Sequence, residues 1–160
     1  MDVKPTSVDE KERKFILKRV PINISPTRSL QITQYYKDGL RYRMTMIPGS
    51  PDFLYERIRK EKVAVGHNKE IDVEIIDHID WHKNRTGSRQ DRHEIHKTRH
   101  EYEFEGKKFE VDVFHDLTLV MMEVENVELN EEIYFPTEIK DVILCEVTGN
   151  ELCDNYKLGG

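Results

Sequence analysis

The sequence has few cysteines and no long apolar segment. Its 160 residues include two cysteines, Cys145 and Cys153, which form no CxxC pair. Two thiols cannot build a dense disulfide framework, so we expect a reducing, cytoplasmic setting. No apolar run approaches the roughly 18 residues of a membrane-spanning helix, and the acidic, polar N-terminus is unlike a signal peptide. We therefore expect no membrane association.

The sequence also lacks an excess of positive charge. Its formal net charge is −6 and its pI is about 5.7, which disfavours non-specific binding to nucleic acid through a general basic field. Hydrophobic residues make up only 37% of the chain, but seven tyrosines, six phenylalanines and the Ile/Val-rich runs argue against disorder. The length predicts one domain over residues 1–160 with a core of its own.

Turn residues divide most of the chain into short segments of alternating character, which favours a β-rich fold. Asp38-Gly39 and Glu105-Gly106 are typical of tight hairpin turns. The strand candidates are Glu10–Val20, Gln31–Lys37, Leu40–Ile47, Phe53–Val63, Lys69–Ile75, His93–Phe104, Phe109–His115, Leu119–Val127 and Asp141–Val147. Short helices are predicted over His78–Asn84, Asn130–Tyr134 and Asn150–Tyr156, and a polar loop over Lys83–Gln90. The sequence therefore predicts a mainly β fold of the α+β class, with about the strand number of a closed antiparallel barrel.

Charged residues recur at every second position in six of these segments. Successive side chains on a strand point to opposite faces, so each set shares one face. The sets are Glu10, Glu12 and Lys14; Arg41 and Arg43; Glu70, Asp72 and Glu74; Lys97 and Arg99; Glu110 and Asp112; and Glu123 and Glu125. One such face alone is typical of a strand that meets solvent. Like charges side by side on a solvated sheet are unfavourable, however, whereas acidic and basic strands that face each other across a barrel interior neutralise one another.

A barrel interior with both signs of charge suits one kind of ligand. Basic side chains hold the oxygens of a polyphosphate, since Arg grips two oxygens with its planar fork and Lys acts as a point charge. Carboxylates hold a divalent cation, which neutralises the same phosphates. The pattern therefore favours a charged tunnel for a metal-bound polyanion.

The charged motifs, taken in order, resemble those of the CYTH superfamily, the triphosphate tunnel metalloenzymes. The N-terminal ExExK strand is present as Glu10-Lys11-Glu12-Arg13-Lys14. The similar motifs that follow are QITQYY (Gln31–Tyr36), RYR (Arg41–Arg43), YERIRK (Tyr55–Lys60), EID (Glu70–Asp72), KTR (Lys97–Arg99), FEVDVF (Phe109–Phe114), MEVE (Met122–Glu125) and EVT (Glu146–Thr148) with Asn155. ExExK alone is a weak signal, whereas the ordered series over the whole chain is specific. The resemblance implies an eight-stranded antiparallel closed barrel with a charged tunnel and a few short helices.

The resemblance also implies roles for these residues. Phosphate binding is implied for Lys14, Arg41, Arg43, Lys60, Lys97 and Arg99. The implied ligands of Mg²⁺ or Mn²⁺ are Glu10, Glu12, Glu123 and Glu125, and the implied catalytic residues are Glu10, Glu12 and Lys14. The supporting residues are Glu70, Asp72, Glu110, Asp112 and Glu146. A structural ion pair in the barrel explains Lys60 equally well, and Asp72 is a shorter acid where Glu is usual.

The implied activity is metal-dependent hydrolysis of inorganic triphosphate, or of a nucleoside or other organic triphosphate, by metal-activated water. A class IV-type adenylate cyclase is the alternative within the superfamily, but the His-Phe pair that usually precedes ExExK is absent from Val3–Val8. Two hypotheses without catalysis are a module that binds polyphosphate or nucleotide and a purely structural barrel. The predicted partner is a small triphosphate molecule. The acidic net charge leaves no long RNA track, although 5′-triphosphate RNA stays among the candidate substrates.

The histidines and one insert fall outside this pattern. His93, His96 and His100 would lie roughly on one face of a helix, which would suit zinc. The strand assigned to KTR instead puts His93 and His100 on opposite faces, so we expect solvent-facing or loop histidines. Residues 79–93 align with no motif and are a candidate specificity segment.

Two strand candidates have apolar faces that point away from the predicted tunnel. These are the outer faces of Glu70–Ile75 and Glu110–Phe114. Few helices are predicted that could cover them. We therefore expect a homodimer that packs barrel against barrel.

Overall fold

The computed structural model describes residues 7–87 and 94–158. Its strands are β1 (Ser7–Leu17), β2 (Arg28–Lys37), β3 (Leu40–Met46), β4 (Phe53–Ala64), β5 (His67–Ile75), β6 (Ile95–Phe104), β7 (Lys107–Phe114), β8 (Val120–Glu125) and β9 (Ile143–Glu146). Its helices are α1 (His78–Gly87), α2 (Thr137–Lys140) and α3 (Asn155–Leu158), with a 3-10 turn at Glu151–Cys153. Within the described residues, no helix has the length and apolar character needed to cross a bilayer.

Strand β1 closes the sheet into a barrel. The antiparallel order is β5-β4-β3-β2-β6-β7-β8-β1, and β1 then pairs again with β5. The first part of β1, Ser7–Lys11, pairs with β5, whereas Glu12–Leu17 pairs with β8. Strand β9 adds a short pairing with Phe15–Leu17. The predicted eight-stranded antiparallel closed barrel is confirmed.

Both predicted hairpin turns are confirmed. Asp38-Gly39 joins β2 to β3, and Glu105-Gly106 joins β6 to β7. All four residues have positive φ, from 50° to 75°. Two consecutive residues with positive φ are typical of the type I′ turn, whose twist matches a two-residue hairpin, and glycine adopts this φ at little steric cost. The turn sequences therefore set the register of these strand pairs.

Helix α1 begins where an aspartate caps it. Asp77 Oδ1 accepts a hydrogen bond from the Asp80 N–H at 2.8 Å, which satisfies one of the free donors of the first turn. The helix predicted over His78–Asn84 is confirmed, but it continues to Gly87. The loop predicted over Lys83–Gln90 is therefore wrong as far as Gly87, and its remainder lies outside the described residues.

The region between β8 and β9 differs from the prediction. The helix predicted over Asn130–Tyr134 is wrong, because this segment is irregular and a helix forms instead at α2, directly after Pro136. Proline suits the start of a helix, where no partner for its missing N–H is needed. The helix predicted over Asn150–Tyr156 is confirmed in outline by the 3-10 turn and α3.

The segment that follows β8 covers one side of the barrel. Outward-facing side chains of β1, β7 and β8 pack against it, and the buried members of this cluster include Phe15, Phe109, Val111, Val124, Ile139 and Val142. The ring of Phe135 contacts Phe15 and Phe109 at centroid distances of 5.5 and 5.8 Å. The chain itself therefore covers the outer face of Glu110–Phe114, and this strand gives no reason to expect a second copy.

Helix α1 covers the outer face of β2 and β3. Trp81 is fully buried there and packs with Tyr35 and Tyr42, whose rings stack at 4.8 Å. The Tyr35 hydroxyl donates a hydrogen bond to the Trp81 carbonyl at 2.7 Å, so its polar end is satisfied. Because these two tyrosines point outward, their neighbours point into the barrel. The inward neighbours are Gln34, Tyr36, Arg41 and Arg43.

A bulge in β5 changes the predicted charge pattern. The register with β4 shifts in this region, and Asp72 has a φ of 54°. An extra residue in one strand reverses the alternation of side chains beyond it. Glu70 lies opposite Lys60 and faces the interior, whereas Asp72 binds Arg59 on the outer surface at 2.8 Å. The prediction that Glu70, Asp72 and Glu74 share one face is therefore wrong.

Candidate active site

The barrel interior brings together most of the charged residues that the sequence singled out. Seven strands contribute Glu10, Glu12, Lys14, Arg41, Arg43, Lys60, Glu70, Lys97, Arg99, Glu110, Asp112, Glu123 and Glu125. Several are almost inaccessible to solvent; Glu12 is 2% and Lys97 is 0% exposed. Alternation along the strands therefore predicts this interior well where no bulge intervenes.

On β6 and β7 each base has a carboxylate partner. Lys97 Nζ lies 2.7 Å from Asp112 Oδ2, and Arg99 Nε lies 2.8 Å from Asp112 Oδ1. Arg99 also pairs with Glu110 at 2.5 Å. Burial lowers the pKa of Lys97 to about 7, although Asp112 opposes the shift. Burial also acts to raise the pKa of Asp112, but Arg99 and Lys97 outweigh it and hold that pKa below its ordinary value.

The carboxylates of β1, β7 and β8 form two overlapping clusters. One oxygen each from Glu10, Glu12 and Glu125 lies within 4.8 Å of the others, and the same holds for Glu110, Glu123 and Glu125. Burial, followed by the nearby Glu123 carboxylate, raises the pKa of Glu12 to about 9. Burial, followed by Glu110, raises the pKa of Glu125 to about 10. Crowded, buried carboxylates of this kind take up protons or a cation.

Glu12 supplies the test of whether a metal ion fits. It is buried, and neither of its carboxylate oxygens has a hydrogen-bond partner among the described residues. Lys60 Nζ lies 2.7 Å from Glu10 Oε1 but 3.8 Å from Glu12 Oε1. An unsatisfied buried carboxylate is unfavourable, and oxygen ligands are those that Mg²⁺ and Mn²⁺ prefer. The residues present therefore fit a divalent cation bound by Glu10, Glu12 and Glu125.

The two arginines of β3 differ from the bases of β6. Within the described part of the chain, neither Arg41 nor Arg43 has a carboxylate partner within the 4.0 Å of an ion pair. Arg41 Nε has no hydrogen-bond partner there either. Arg43 donates two hydrogen bonds to the neutral amide oxygen of Gln34. Burial, followed by Arg41 and Arg99, lowers the pKa of Arg43 to about 10, which leaves the guanidinium charged at neutral pH.

A cavity of about 210 Å³ opens at the end of the tunnel, where Lys14, Arg41 and Lys60 come together. Its lining residues are Lys14, Tyr36, Gly39, Arg41, Lys60, Lys62, Asn68, Asp154 and Asn155. The C-terminal segment borders this cavity. Asp154 Oδ1 accepts a hydrogen bond from Lys14 Nζ at 3.1 Å, and Asn155 Oδ1 accepts one from Lys97 Nζ at 3.0 Å.

Sequence reasoning gave no role to several polar residues of the tunnel and its mouth. These are Gln34, Tyr36, Lys62, Asn68 and Asp154. Lys62 lies two positions after Lys60 on β4, so strand alternation puts both on one face, and the same rule applied to QITQYY puts Gln34 with Tyr36. Asp154 left no comparable signal, because it lies in irregular structure between the 3-10 turn and α3.

Two residues predicted to support the site lie outside the tunnel. Asp72 is on the outer surface because of the β5 bulge. Glu146 on β9 binds Arg13 at 2.7 Å, and Arg13 points away from the interior because it alternates with Glu12 and Lys14. Neither Asp72 nor Glu146 therefore partners a tunnel base.

The histidines of β6 face away from the tunnel. His96 Nδ1 lies 3.2 Å from Thr33 Oγ1, and His100 Nδ1 lies 2.7 Å from Ser29 Oγ. Both histidines alternate with the inward-facing Lys97 and Arg99, and both are partly exposed. The prediction that these histidines lie on a strand, and that they do not share the face of a helix, is confirmed for His96 and His100. His93 lies outside the described residues.

No family model and no curated protein matches the sequence. Solved structures do match the fold. The inorganic triphosphatase NE1496 is 20% identical, with 94% of this chain and 93% of that chain covered and a TM-score of 0.58. The putative adenylyl cyclase HpAC1 from Hippeastrum, described as having a dominant triphosphatase activity, is 16% identical over 74% of this chain and 80% of its own, with a TM-score of 0.51. The PH1819 protein from Pyrococcus horikoshii OT3 is 17% identical over 82% of each chain, with a TM-score of 0.52.

At these identities the likeness shows the fold. It extends over nearly all of this chain in NE1496 and agrees with the barrel that β1 closes and with the charged residues that point into it. The chain therefore shares the fold of these solved structures, and its closed barrel agrees with the one implied by the resemblance to the triphosphate tunnel metalloenzymes, the CYTH superfamily.

Proposed function

We propose that the chain hydrolyses a triphosphate compound inside the barrel with the help of Mg²⁺ or Mn²⁺. One observation carries the proposal: the interior holds two bases that no described carboxylate neutralises, beside a buried glutamate whose oxygens accept no hydrogen bond. Among the described residues, Arg41 and Arg43 have no carboxylate partner, and the buried Glu12 has no hydrogen-bond donor. An anion satisfies the arginines and a cation satisfies the glutamate, and a metal-bound polyphosphate supplies both. The activities named for NE1496 and HpAC1 support this interpretation.

The basic residues bind the phosphates in this proposal. Arg41 and Arg43 are free to grip phosphate oxygens, since no carboxylate competes for them within the described residues. Lys14 and Lys60 border the acidic clusters, because Lys14 Nζ lies 4.0 Å from Glu123 Oε1 and Lys60 pairs with Glu10. Both lysines also line the cavity at the tunnel mouth. They can therefore contact phosphates on the way to the acidic clusters.

In this proposal the acidic residues bind the cation and accept the proton that the attacking water releases. A bound Mg²⁺ or Mn²⁺ neutralises phosphate oxygens and lowers the pKa of water. Glu10, Glu12 and Glu125 are the proposed ligands, with Glu123 beside them. Hydrolysis joins a water oxygen to the terminal phosphorus and breaks the bridging P–O bond, and a carboxylate of this cluster accepts the proton. The bases hold the phosphates in line and stabilise the charge that develops on the departing group.

A substrate panel tests the proposal. Phosphate release is measured with Mg²⁺ or Mn²⁺ from inorganic triphosphate, ATP, GTP, thiamine triphosphate and 5′-triphosphate RNA. We expect release from at least one compound, and we expect EDTA to abolish it. Cyclic AMP formed from ATP would identify a cyclase instead. Tight binding without any release would leave a binding module, and neither binding nor release would leave a structural barrel.

Two glutamates provide a matched pair of variants for the same assay. Glu12→Gln removes a carboxylate inside the tunnel, whereas Glu146→Gln removes one that binds Arg13 on the outside. We expect the first variant to lose at least about 100-fold in metal-dependent activity and the second to keep the wild-type rate. Equal activities of the two variants would contradict the proposed site.

A further inference from the structure

Gln34 is a buried polar residue of the tunnel wall to which the charged motifs give no role. It lies on β2 and is 0% exposed. Its register partner on β3 is Arg43. The amide oxygen Oε1 accepts hydrogen bonds from Arg43 Nε at 3.0 Å and Nη2 at 2.8 Å. The amide nitrogen Nε2 donates to the Tyr36 hydroxyl at 3.2 Å. Both polar ends of Gln34 are therefore in use.

The chemistry of these partners fixes the orientation of the amide. A guanidinium has only donors, so only the amide oxygen of Gln34 can face Arg43. The amide nitrogen then points to Tyr36, which also lines the cavity at the tunnel mouth. Gln34 binds the Nε and Nη2 edge of Arg43. Among the described residues, no hydrogen bond from Nη1 accompanies these two, so this edge is assigned to the ligand.

The charge of the partner distinguishes Arg43 from Arg99. Arg99 is held by the carboxylates of Asp112 and Glu110, which neutralise it. Gln34 accepts two hydrogen bonds from Arg43 at comparable distances, both on one oxygen, but carries no charge. Glu56 stands opposite Arg43 on β4, yet the two form no ion pair. Arg43 is therefore rigidly placed and keeps its full positive charge.

We infer that Gln34 is a positioning residue for phosphate binding, which fixes the Arg43 guanidinium without neutralising it. The inference rests on the proposed function and names a determinant of affinity in the same site. A neutral anchor preserves the attraction of Arg43 for an anion, whereas a carboxylate anchor would compete with the substrate for the same cation. A buried amide in a purely structural role would need only satisfied hydrogen bonds.

Two substitutions separate these roles. Gln34→Glu keeps the shape and the acceptor but adds a charge that pairs with Arg43. Gln34→Met removes the anchor but leaves Arg43 charged. Gln31→Glu is the matched control, because Gln31 lies on the same strand, accepts a hydrogen bond from Thr98 at 3.0 Å and faces outward. If Gln34 is only structural, Gln34→Glu should weaken binding less than Gln34→Met does. If Gln34 positions Arg43 as a neutral anchor, Gln34→Glu should weaken binding more than Gln34→Met does.

The experiment measures binding of inorganic triphosphate by calorimetry in EDTA, together with thermal unfolding and the steady-state constants of phosphate release with Mg²⁺. We expect Q34E to unfold at the wild-type temperature or above it and to raise the Kd and the KM about tenfold or more. Its kcat should change less than its KM. We expect Q34M to raise the Kd about threefold, and Q31E to behave as wild type.

Binding by Q34E as tight as that of wild type would overturn the inference, and so would binding by Q34M that is weaker than binding by Q34E. If Q34E does not fold, Q34M decides, because wild-type affinity in that variant also overturns the inference. A wild-type chain that neither binds nor hydrolyses any compound of the panel refutes the proposed function, and the inference fails with it. Wild-type binding that Q34E retains refutes only the role of Gln34.

Discussion

Strands β3 and β6 both present two bases to the tunnel, from the similar motifs RYR and KTR, but their electrostatic environments differ. Lys97 and Arg99 on β6 face Asp112 on the neighbouring β7. On β3, Arg43 faces an amide of β2, and Arg41 has no carboxylate partner among the described residues. Whether the positive charge of a tunnel base is neutralised therefore depends on the residue that the neighbouring strand places beside it, and the base's own motif does not determine this.

The comparison separates two tasks that the same residue types perform. A buried base paired with a carboxylate makes the barrel wall sensitive to the loss of either partner, because removing one leaves an uncompensated charge. A base held by neutral groups contributes little to the wall but stays available for an anion. Substitutions on the two strands should therefore affect stability and binding in opposite proportions.

The largest expected effect is the loss of stability in Asp112→Asn. This change leaves Lys97 and Arg99 buried without their shared carboxylate, and breaking a buried pair in this way costs about 3–5 kcal/mol. Urea denaturation of the metal-free protein measures the free energy of unfolding. A loss below about 1 kcal/mol would mean that the bases of β6 depend on their carboxylates no more than those of β3 do.

Arg43→Met should show the opposite balance. We expect the free energy of unfolding to fall by about 1–3 kcal/mol, less than in Asp112→Asn, because the change leaves the buried Gln34 Oε1 without its donors but leaves no carboxylate unpaired. The Kd for inorganic triphosphate should rise about 10- to 100-fold, as expected for a lost hydrogen bond to a charged group. Calorimetry and denaturation on the same preparation measure both quantities. A variant that binds normally but unfolds easily would reverse the assignment.

Glu12 should make the stability of the metal-free barrel depend on pH. Its pKa is raised from 4.5 to about 9, so the folded, metal-free chain holds a proton that the unfolded chain has lost over this interval. The contribution to stability is full below about pH 4.5 and is lost as the pH rises towards 9. We expect Glu12→Gln to raise the unfolding temperature at pH 9 by about 2–4 °C for each kcal/mol that the wild type loses at that pH, and to flatten the pH profile.

The pH profile of Glu12→Gln keeps a residual slope, since the pKa of Glu125 is raised in the same direction. Thermal unfolding from pH 5 to pH 9 in EDTA measures both proteins. Parallel profiles of wild type and variant would show that Glu12 is ionised throughout.

The smallest expected effect concerns the tunnel mouth. Asp154 is about half exposed and binds Lys14 at 3.1 Å, so its carboxylate competes with an incoming phosphate for that lysine. Partly exposed pairs contribute about 0.2–1 kcal/mol, so Asp154→Asn should lower the Kd for inorganic triphosphate about two- to fivefold. Glu151→Gln is the control, because its contact with Lys62 is longer and more exposed. Weaker binding in Asp154→Asn would show that Asp154 assists the ligand.

The alternation of charge predicted the barrel interior, because it is a local property that each strand carries by itself. It predicted the inward sets Glu10-Glu12-Lys14, Arg41-Arg43 and Lys97-Arg99 correctly. It failed at Asp72, since an extra residue in β5 leaves no periodic trace and aspartate tolerates the positive φ that the bulge requires. The role given to Glu146 failed for a different reason, because its environment depends on the register of β9 against β1.

Residues whose role depends on a partner from a distant segment were beyond the reach of the motifs. Gln34 is polar and uncharged, so the pattern of alternating charges did not include it. Its proposed role depends on its contact with Arg43 on the other strand of the hairpin. Asp154 reaches Lys14 from a position 140 residues away in sequence. Contacts of this kind depend on the closed barrel, which brings the C-terminal segment to the tunnel mouth.

The way β1 closes the barrel has a consequence for the proposed cation site. The strand that pairs with β1 changes from β5 to β8 between Lys11 and Glu12. We call this point, where the first and last strands of the barrel meet, the seam. Glu10 belongs to the half that pairs with β5, and Glu125 belongs to β8 on the other side, opposite Glu12. A cation shared by these three carboxylates is a non-covalent cross-link over the seam. Binding of the proposed cation would therefore reinforce the closure that the pairings of β1 with β5 and β8 already make.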